Sequence, residues 1–339
     1  MNDPNQFYLD LAPMDLDNAR PQRYDGSGFS VSLNDLTNED IALVVRVYQA
    51  LKNVYDLWLY MRDAPNYQIL RERIQPFISR DFLNTAQAIG SSTYIAKEPP
   101  PLLRKVIHDI RGGGLTALIG YAQLLNRLND NDDIVRKAVF LARDHAKMMR
   151  NAIPDLDIPF READESSKLH HIREFVDKWD QFSFDINQKK VQIRARSDFD
   201  GYITNRCLET SAVDRILYNY INNAARFAAA DELFLTVIPV HSGLTRWVVE
   251  NRLTEDQVNW LAQNLDGQLH QLFYGGITRG GNGIGLSSCT DFVAASFGVK
   301  PNIAIEKQYL GAKVYKQTFY AWFHWPTYIP QVDDEECVC

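Results

Sequence analysis

The sequence predicts an α+β protein: N-terminal helices, an antiparallel helical hairpin forming a dimeric four-helix bundle, then an α/β sandwich with a mixed sheet. Three observations predict it. After Pro99–Pro101, two long amphipathic runs are separated by a short polar turn. Beyond residue 165, short apolar runs of strand character intermix with runs at helical spacing. The chain has 339 residues, 45% hydrophobic and 23% charged, which suits two or three soluble domains with cores of their own.

Residues 1–35 read as an irregular tail, rich in Asp, Asn, Pro and Gly without a sustained period. Residues 36–97 read as a helical extension. Thr37 and Asp40 make a capping-box-like pair. Ile41, Val44, Val45, Tyr48, Leu51, Tyr55 and Trp58 follow at helical spacing, and Pro65 ends that helix. A second helix is expected from Tyr67 to Ile89, bent by Pro76.

Residues 98–160 form the hairpin. Its first helix carries Leu103, Val106, Ile107 and Ile110, then Leu115, Leu118, Ile119, Ala122 and Leu125. The turn Asn129–Asp133 reverses the chain, and Ile134, Ala138, Leu141, Ala142, His145, Met148 and Met149 follow. Two such hairpins packed together bury both apolar stripes, so a homodimer through residues 102–150 is expected. A polar linker, Asp155–Ser167, leads into residues 165–330. There Val191–Arg196, Tyr202–Arg206, Leu233–Val240, Leu244–Asn251, Asn302–Glu306 and Lys313–Trp325 read as strands. Ser211–Ala229, Glu255–Phe273 and Ile284–Phe297 read as helices. Residues 331–339 are an acidic tail ending in Cys337 and Cys339.

The net charge of -7 argues against a nucleic-acid partner, since phosphate neutralisation needs Lys and Arg in excess. No apolar run approaches the roughly 18–20 residues of a membrane span. The polar, acidic start is unlike a signal peptide, so a cytoplasmic location is expected. Four sparse cysteines agree with it.

Three constellations carry chemistry. His108-Asp109-Ile110-Arg111 is followed by Gly112-Gly113-Gly114 and by Leu115 to Tyr121. A neutral imidazole is a nucleophile toward phosphorus, and an adjacent carboxylate can hold the other ring N–H. Taken alone, His-Asp on a helix is more often a solvated or capping pair. Asn219 and Asn223 are four apart, hence on one face of a helix, with Arg226 close by. Their amide oxygens are neutral hard ligands, suited to a Mg²⁺ already held by phosphates. Gly275 to Leu286 is a glycine-rich loop leading into a helix. Its backbone N–H groups and the helix N-terminus favour phosphate.

The first segment resembles the phospho-acceptor box of sensor histidine kinases, His-Glu/Asp-Leu/Ile-Arg followed by Thr-Pro-Leu and a run ending in Gly-Tyr. It departs in having Gly112 where the family has Thr or Asn, and one extra residue before Leu115. The second segment is similar to the family's N box. The third is similar to its lid and second glycine box, with Gly-x-Gly-Ile-Gly-Leu at 281–286. The adenine-reading Asp-x-Gly-x-Gly is replaced by Val248 to Thr254, and there Glu250 or Asn251 is the candidate adenine contact.

The resemblance spans about residues 98–330. It implies a cytoplasmic protein-histidine kinase with an ATPase-type sandwich. His108 and Asp109 would be catalytic. Asn219, Asn223, Arg226, Glu250, Asn251, Thr278, Arg279, Gly281, Gly283, Gly285 and Leu286 would bind ATP, and Asn223 would ligate Mg²⁺. The implied partner is a response regulator's receiver domain. The rival readings are a non-enzymatic pseudokinase or phosphotransfer scaffold and, fitting less well, a metabolic kinase of the mitochondrial type. The extra residue predicts a bulge, kink or break just after His108, because it would otherwise turn the downstream stripe by about 100°. His145 reads as a packed core residue. His170 and His171 are adjacent, so their side chains diverge, and no metal site is expected there.

Overall fold

The computed structural model describes residues 5–16, 24, 26, 28–96, 98–127, 131–186, 189–277, 279 and 283–331. They divide into two compact units, one of Gly26–Glu165 and one of the residues up to Asp25 together with those from Ser166 onward. Cys337, Cys339 and the turn residue Asn129 lie outside the described residues. Among the described residues, no helix is long and apolar enough to cross a membrane. The single-turn helix α1 (Gln6–Leu9) belongs to the second unit.

The first unit is all helix: α2 (Asn38–Tyr60), α3 (Tyr67–Ile74), α4 (Arg80–Ala88), α5 (Ser91–Ala96), α6 (Pro101–Arg111), α7 (Gly113–Arg127), α8 (Asp132–Ala152) and α9 (Ile158–Ala163). Thr37 caps α2 as expected, its hydroxyl accepting from the Asp40 N–H at 3.4 Å. The reciprocal half of the capping box does not form. The fully buried Asp40 carboxylate accepts instead from the Gly90 N–H at 2.8 Å and from the N–H and hydroxyl of Thr93 at 2.7 and 2.6 Å. It thereby satisfies the open start of α5. The helix expected over Tyr67–Ile89 is two helices. A 3₁₀ turn at Gln75–Ile78 takes up Pro76, and Ser79 caps α4 through the Phe82 N–H.

The hairpin helices α7 and α8 pack together, and α8 also packs against α2 and α3. Trp58 of α2 meets Phe140 of α8 edge-on at 5.7 Å. From Asp144 to Ala152 every residue of α8 is buried. The apolar stripe that called for a second copy is thus covered by this chain's own N-terminal helices.

The second unit contains β1 (Ser167–His171), α10 (Arg173–Trp179), β2 (Ser183–Ile186), β3 (Lys189–Ser197), β4 (Tyr202–Arg206), α11 (Cys207–Phe227), β5 (Glu232–His241) and β6 (Leu244–Arg252). There follow α12 (Glu255–Leu265), α13 (Gly285–Ser296), α14 (Pro301–Glu306), β7 (Leu310–Tyr315) and β8 (Thr318–Pro326). Among the described residues six strands form one sheet in the order β2-β3-β5-β6-β8-β7, and β1 pairs with β4 in a separate ribbon. Only β3 and β5 run parallel among the pairs of that sheet, so it is mixed. Asn302–Glu306, expected as a strand, is helix α14, because Pro301 occupies the first helical position, where its missing N–H costs nothing. The helix expected over Glu255–Phe273 stops at Leu265. Asp266 there is left-handed, and a 3₁₀ turn continues to Phe273.

The period-2 alternation assigns each sheet residue to a face. On one face Trp247 of β6 stacks on Phe323 of β8 at 5.5 Å, and Phe323 meets Tyr220 of α11. The Trp325 indole donates to Glu209 of α11 at 3.0 Å. The buried ion pair Lys178–Asp214, 2.6 Å, ties α10 to α11. On the other face Val248 and Trp322 pack with Leu11, flanked by Phe7, Tyr8, Ala12 and Tyr320. So the N-terminal residues expected as an irregular tail instead cover the second face of the sheet from residue 7 to residue 13. Buried Arg246 holds them. Its two terminal nitrogens donate to the carbonyls of Tyr8, Leu9, Ala12 and Pro13 at 2.6–2.9 Å. Its Nε donates to Nε2 of His324 at 2.8 Å, so all five guanidinium donors are used. Burial lowers this arginine to about 10, which leaves it charged at neutral pH.

Candidate functional site

Helix α6 carries His108 and Asp109. Nδ1 of His108 lies 3.2 Å from a carboxylate oxygen of Asp109. The Asp109 side chain is 2% exposed and that of His108 27%. A carboxylate beside Nδ1 keeps the proton there and leaves the lone pair on Nε2. Nε2 makes no hydrogen bond among the described residues.

The deformation expected after His108 is a break. α6 ends at Arg111 and α7 starts at Gly113. At Gly112 a Cβ would stand 2.7 Å from the carbonyl oxygen of His108. No other residue fits there without moving that backbone. The break preserves the stripe, since Leu115, Leu118, Ala122 and Leu125 are all buried. A helix end leaves carbonyls unpaired, and His145 of α8 supplies one donor. Its Nε2 lies 3.0 Å from the Ile110 carbonyl. Burial depresses this histidine to about 4, so it is neutral and carries its proton on Nε2.

The second unit gathers the proposed nucleotide residues. On α11 the Asn219 amide nitrogen donates to the Arg215 carbonyl at 2.9 Å. The half-buried Asn223 amide has no hydrogen-bond partner among the described residues. Exposed Arg226 donates to the Arg279 carbonyl at 3.3 Å and so links α11 to the glycine loop. That loop is pinched at its base, where the Gly276 N–H donates to the Gly283 carbonyl at 3.1 Å. Both glycines have positive φ, 82° and 66°, and a Cβ on Gly283 would meet the Gly276 backbone at 3.0 Å. Thr278 and Gly281 lie outside the described residues. Gly285 and Leu286 begin α13, whose Thr290 hydroxyl donates to the Phe273 carbonyl at 3.0 Å. The positive end of α13 therefore opens beside the pinched loop.

Glu250 and Asn251 part company. The Ala229 N–H donates to the Arg252 carbonyl at 2.7 Å, which joins the end of α11 to the end of β6. Asn251 shares the α11 face with Val249 and Trp247 and is 3% exposed. Glu250 points to the opposite face, where the Tyr8 hydroxyl donates to it at 3.2 Å and burial raises its pKa. The sheet separates it from α11, so Glu250 is removed from the adenine candidates and Asn251 remains. Sequence alone could not assign these faces, because β6 is buried on both and its alternation is silent.

Sequence reasoning also missed a contact at the start of α11. His170, where the sequence leads to no expectation of a metal site, touches both Cys207 and Glu174. Glu174 is only four residues on, but Cys207 is 37 residues away in another element, and no local pattern announces it.

No family model matches the chain, and no curated protein does. Among solved structures it is similar to full-length ShkA in complex with AMPPNP, at 18% identity and a TM-score of 0.34 over 63% of this chain. It spans 44% of that protein's length. The mycobacterial sensor histidine kinase MprB is 12% identical, with a TM-score of 0.32, over 48% of this chain and 97% of its own. The Acinetobacter baumannii histidine kinase AdeS is 14% identical, with a TM-score of 0.29, over 66% and 98% respectively. Likeness of this degree assigns neither activity nor ligand.

Proposed function

We propose that the chain is a histidine kinase: ATP held by the second unit gives its γ-phosphoryl group to His108, and the group passes to an aspartate of a separate receiver domain. The observation that carries the reading is the convergence of Asn223, the Arg226–Arg279 link, the Gly276–Gly283 pinch and the start of α13. Neutral amides, glycine backbone and a helix N-terminus are what a polyphosphate needs. The residues also fit Mg²⁺, because the Asn223 amide is uncommitted and adds no charge to a metal that arrives with phosphates. Such an ion would neutralise phosphate charge during transfer.

In the first unit, Nε2 of His108 attacks phosphorus, the bond to the bridging oxygen breaks, and ADP departs. Asp109 holds the Nδ1 proton and stabilises the positive charge that builds on the ring. Gly112 has no side chain to orient a water, so dephosphorylation of the regulator by this chain would be weak. The reading places the protein in the cytoplasm, where ATP is supplied. A homodimer is no longer called for by the hairpin, whose stripe α2 and α3 fill.

Incubation with γ-labelled ATP and Mg²⁺ should label the protein, and the label should be lost in acid. His108→Gln should remove it, and Asn223→Ala should abolish it while leaving the fold intact. An acid-stable label, or full labelling of folded Asn223→Ala, would sink the assignment. The scaffold reading is favoured by one observation, the diversion of Glu250 to Tyr8. It requires that calorimetry detect no Mg-ATP binding.

A further inference from the structure

Three side chains meet at the first turn of α11. The sulfur of Cys207 lies 3.3 Å from Nε2 of His170. Nδ1 of His170 lies 3.0 Å from a carboxylate oxygen of Glu174. The other oxygen of Glu174 accepts the His171 N–H at 3.1 Å, so the carboxylate is fixed. His170 is 4% exposed, while Cys207 keeps part of its surface. Neighbouring charges are engaged elsewhere. Glu209 accepts from the Thr204 hydroxyl and the Trp325 indole. Arg206 donates to the Tyr24 carbonyl, and Asp200 pairs with His171 and Arg173. Glu174 is therefore the carboxylate that serves His170.

An imidazole between a carboxylate and a thiol takes the thiol proton. Burial pushes His170 down, but its bonds to Cys207 and Glu174 outweigh that and lift it to about 9. The thiolate gains from the imidazolium and from the N-terminus of a 21-residue helix. A shared metal does not fit the arrangement, because sulfur and carboxylate sit on opposite ring nitrogens. No metal-holding group is present among the described residues.

We propose that Cys207 is a hydroperoxide-reactive thiol, a modification site with His170 as proton donor and Glu174 as the positioning residue. The thiolate attacks the terminal oxygen of a hydroperoxide, ROOH. The S–O bond forms as the O–O bond breaks. The departing alkoxide or hydroxide takes the Nε2 proton of His170 and leaves as ROH. Sulfur loses two electrons to the peroxide, and Cys207 becomes a sulfenic acid. Cys289 is fully buried against Ile216, nine residues further along α11 and so about 13 Å away. Among the described residues no second thiol therefore lies within reach of the sulfenic acid.

The test uses the full chain and reads the Cys207 peptide by mass spectrometry, so the other cysteines do not interfere. The alkylation rate by iodoacetamide should reach half its maximum below pH 7, against about 8.5 for an ordinary thiol. Hydrogen peroxide followed by dimedone should label Cys207, and about tenfold more slowly in His170→Asn, whose thiol is mostly protonated at neutral pH. A midpoint near 8.5 in the unaltered protein, or no dimedone adduct, overturns the proposal. The unaltered protein's pH profile decides the matter even where His170→Asn fails to fold.

Discussion

Burial keeps His145 neutral down to about pH 4, and its one hydrogen bond closes the end of α6. Its folded pKa, about 4, lies below the unfolded value of 6.5. The unfolded chain therefore binds more protons between those values. Stability contributed by neutral His145 is fully present above pH 6.5 and is lost as pH falls toward 4, on the order of 3 kcal/mol in all. His324, lowered to about 3 by burial and by Arg246, acts in the same direction in the second unit. His170, raised to about 9, acts oppositely, its contribution being present below 6.5 and lost as pH rises through 9. Urea unfolding followed by circular dichroism at pH 7 and pH 4.5 should show a smaller acid loss in His145→Gln, whose amide can donate to Ile110 without titrating. Equal losses in both proteins would assign the effect to another group. The sequence places His145 on an apolar face, and its core position was legible there. Its partner, 35 residues back, was not.

At the scale of elements, the break at Gly112 was legible because an added residue rotates everything after it by about 100°. Only a local distortion keeps Leu115 and Leu118 beside Val106 and Ile110. The kind of distortion was decided by the carbonyl of His108, which stands where a Cβ would go. Gly112→Ala should therefore lower the unfolding free energy by about 1–3 kcal/mol, measured by urea titration. A change below about 0.5 kcal/mol, the ordinary scatter of surface substitutions, would show that the backbone yields there at little cost. Helix α14 was misread as a strand because its short apolar run has no period long enough to tell the two apart.

At the scale of the molecule, α8 is packed by α7, α2 and α3 from within one unit. The helical unit thus completes its bundle in cis. Sedimentation at micromolar concentration should give a single species near 38.9 kDa. A dimer would mean that a surface other than the hairpin stripe carries the assembly. The covering of the sheet by residues 7–13 is likewise a property of the whole chain. Arg246 reaches their carbonyls from more than 230 positions away, and an arginine inside a strand pattern gives no sign of its target.

What the sequence determined by itself is what depends on near neighbours. The amide pair Asn219 and Asn223 follows from the helical repeat, the hairpin from its two stripes and turn, and the glycine loop from residues that accept positive φ without steric cost. Tertiary structure decided which surface each stripe meets, which face of β6 looks toward α11, and that Cys207, His170 and Glu174 meet. The physical reason is that period and propensity act over a few residues, whereas faces and partners are chosen when distant segments compete to bury the same apolar surface and satisfy the same polar groups.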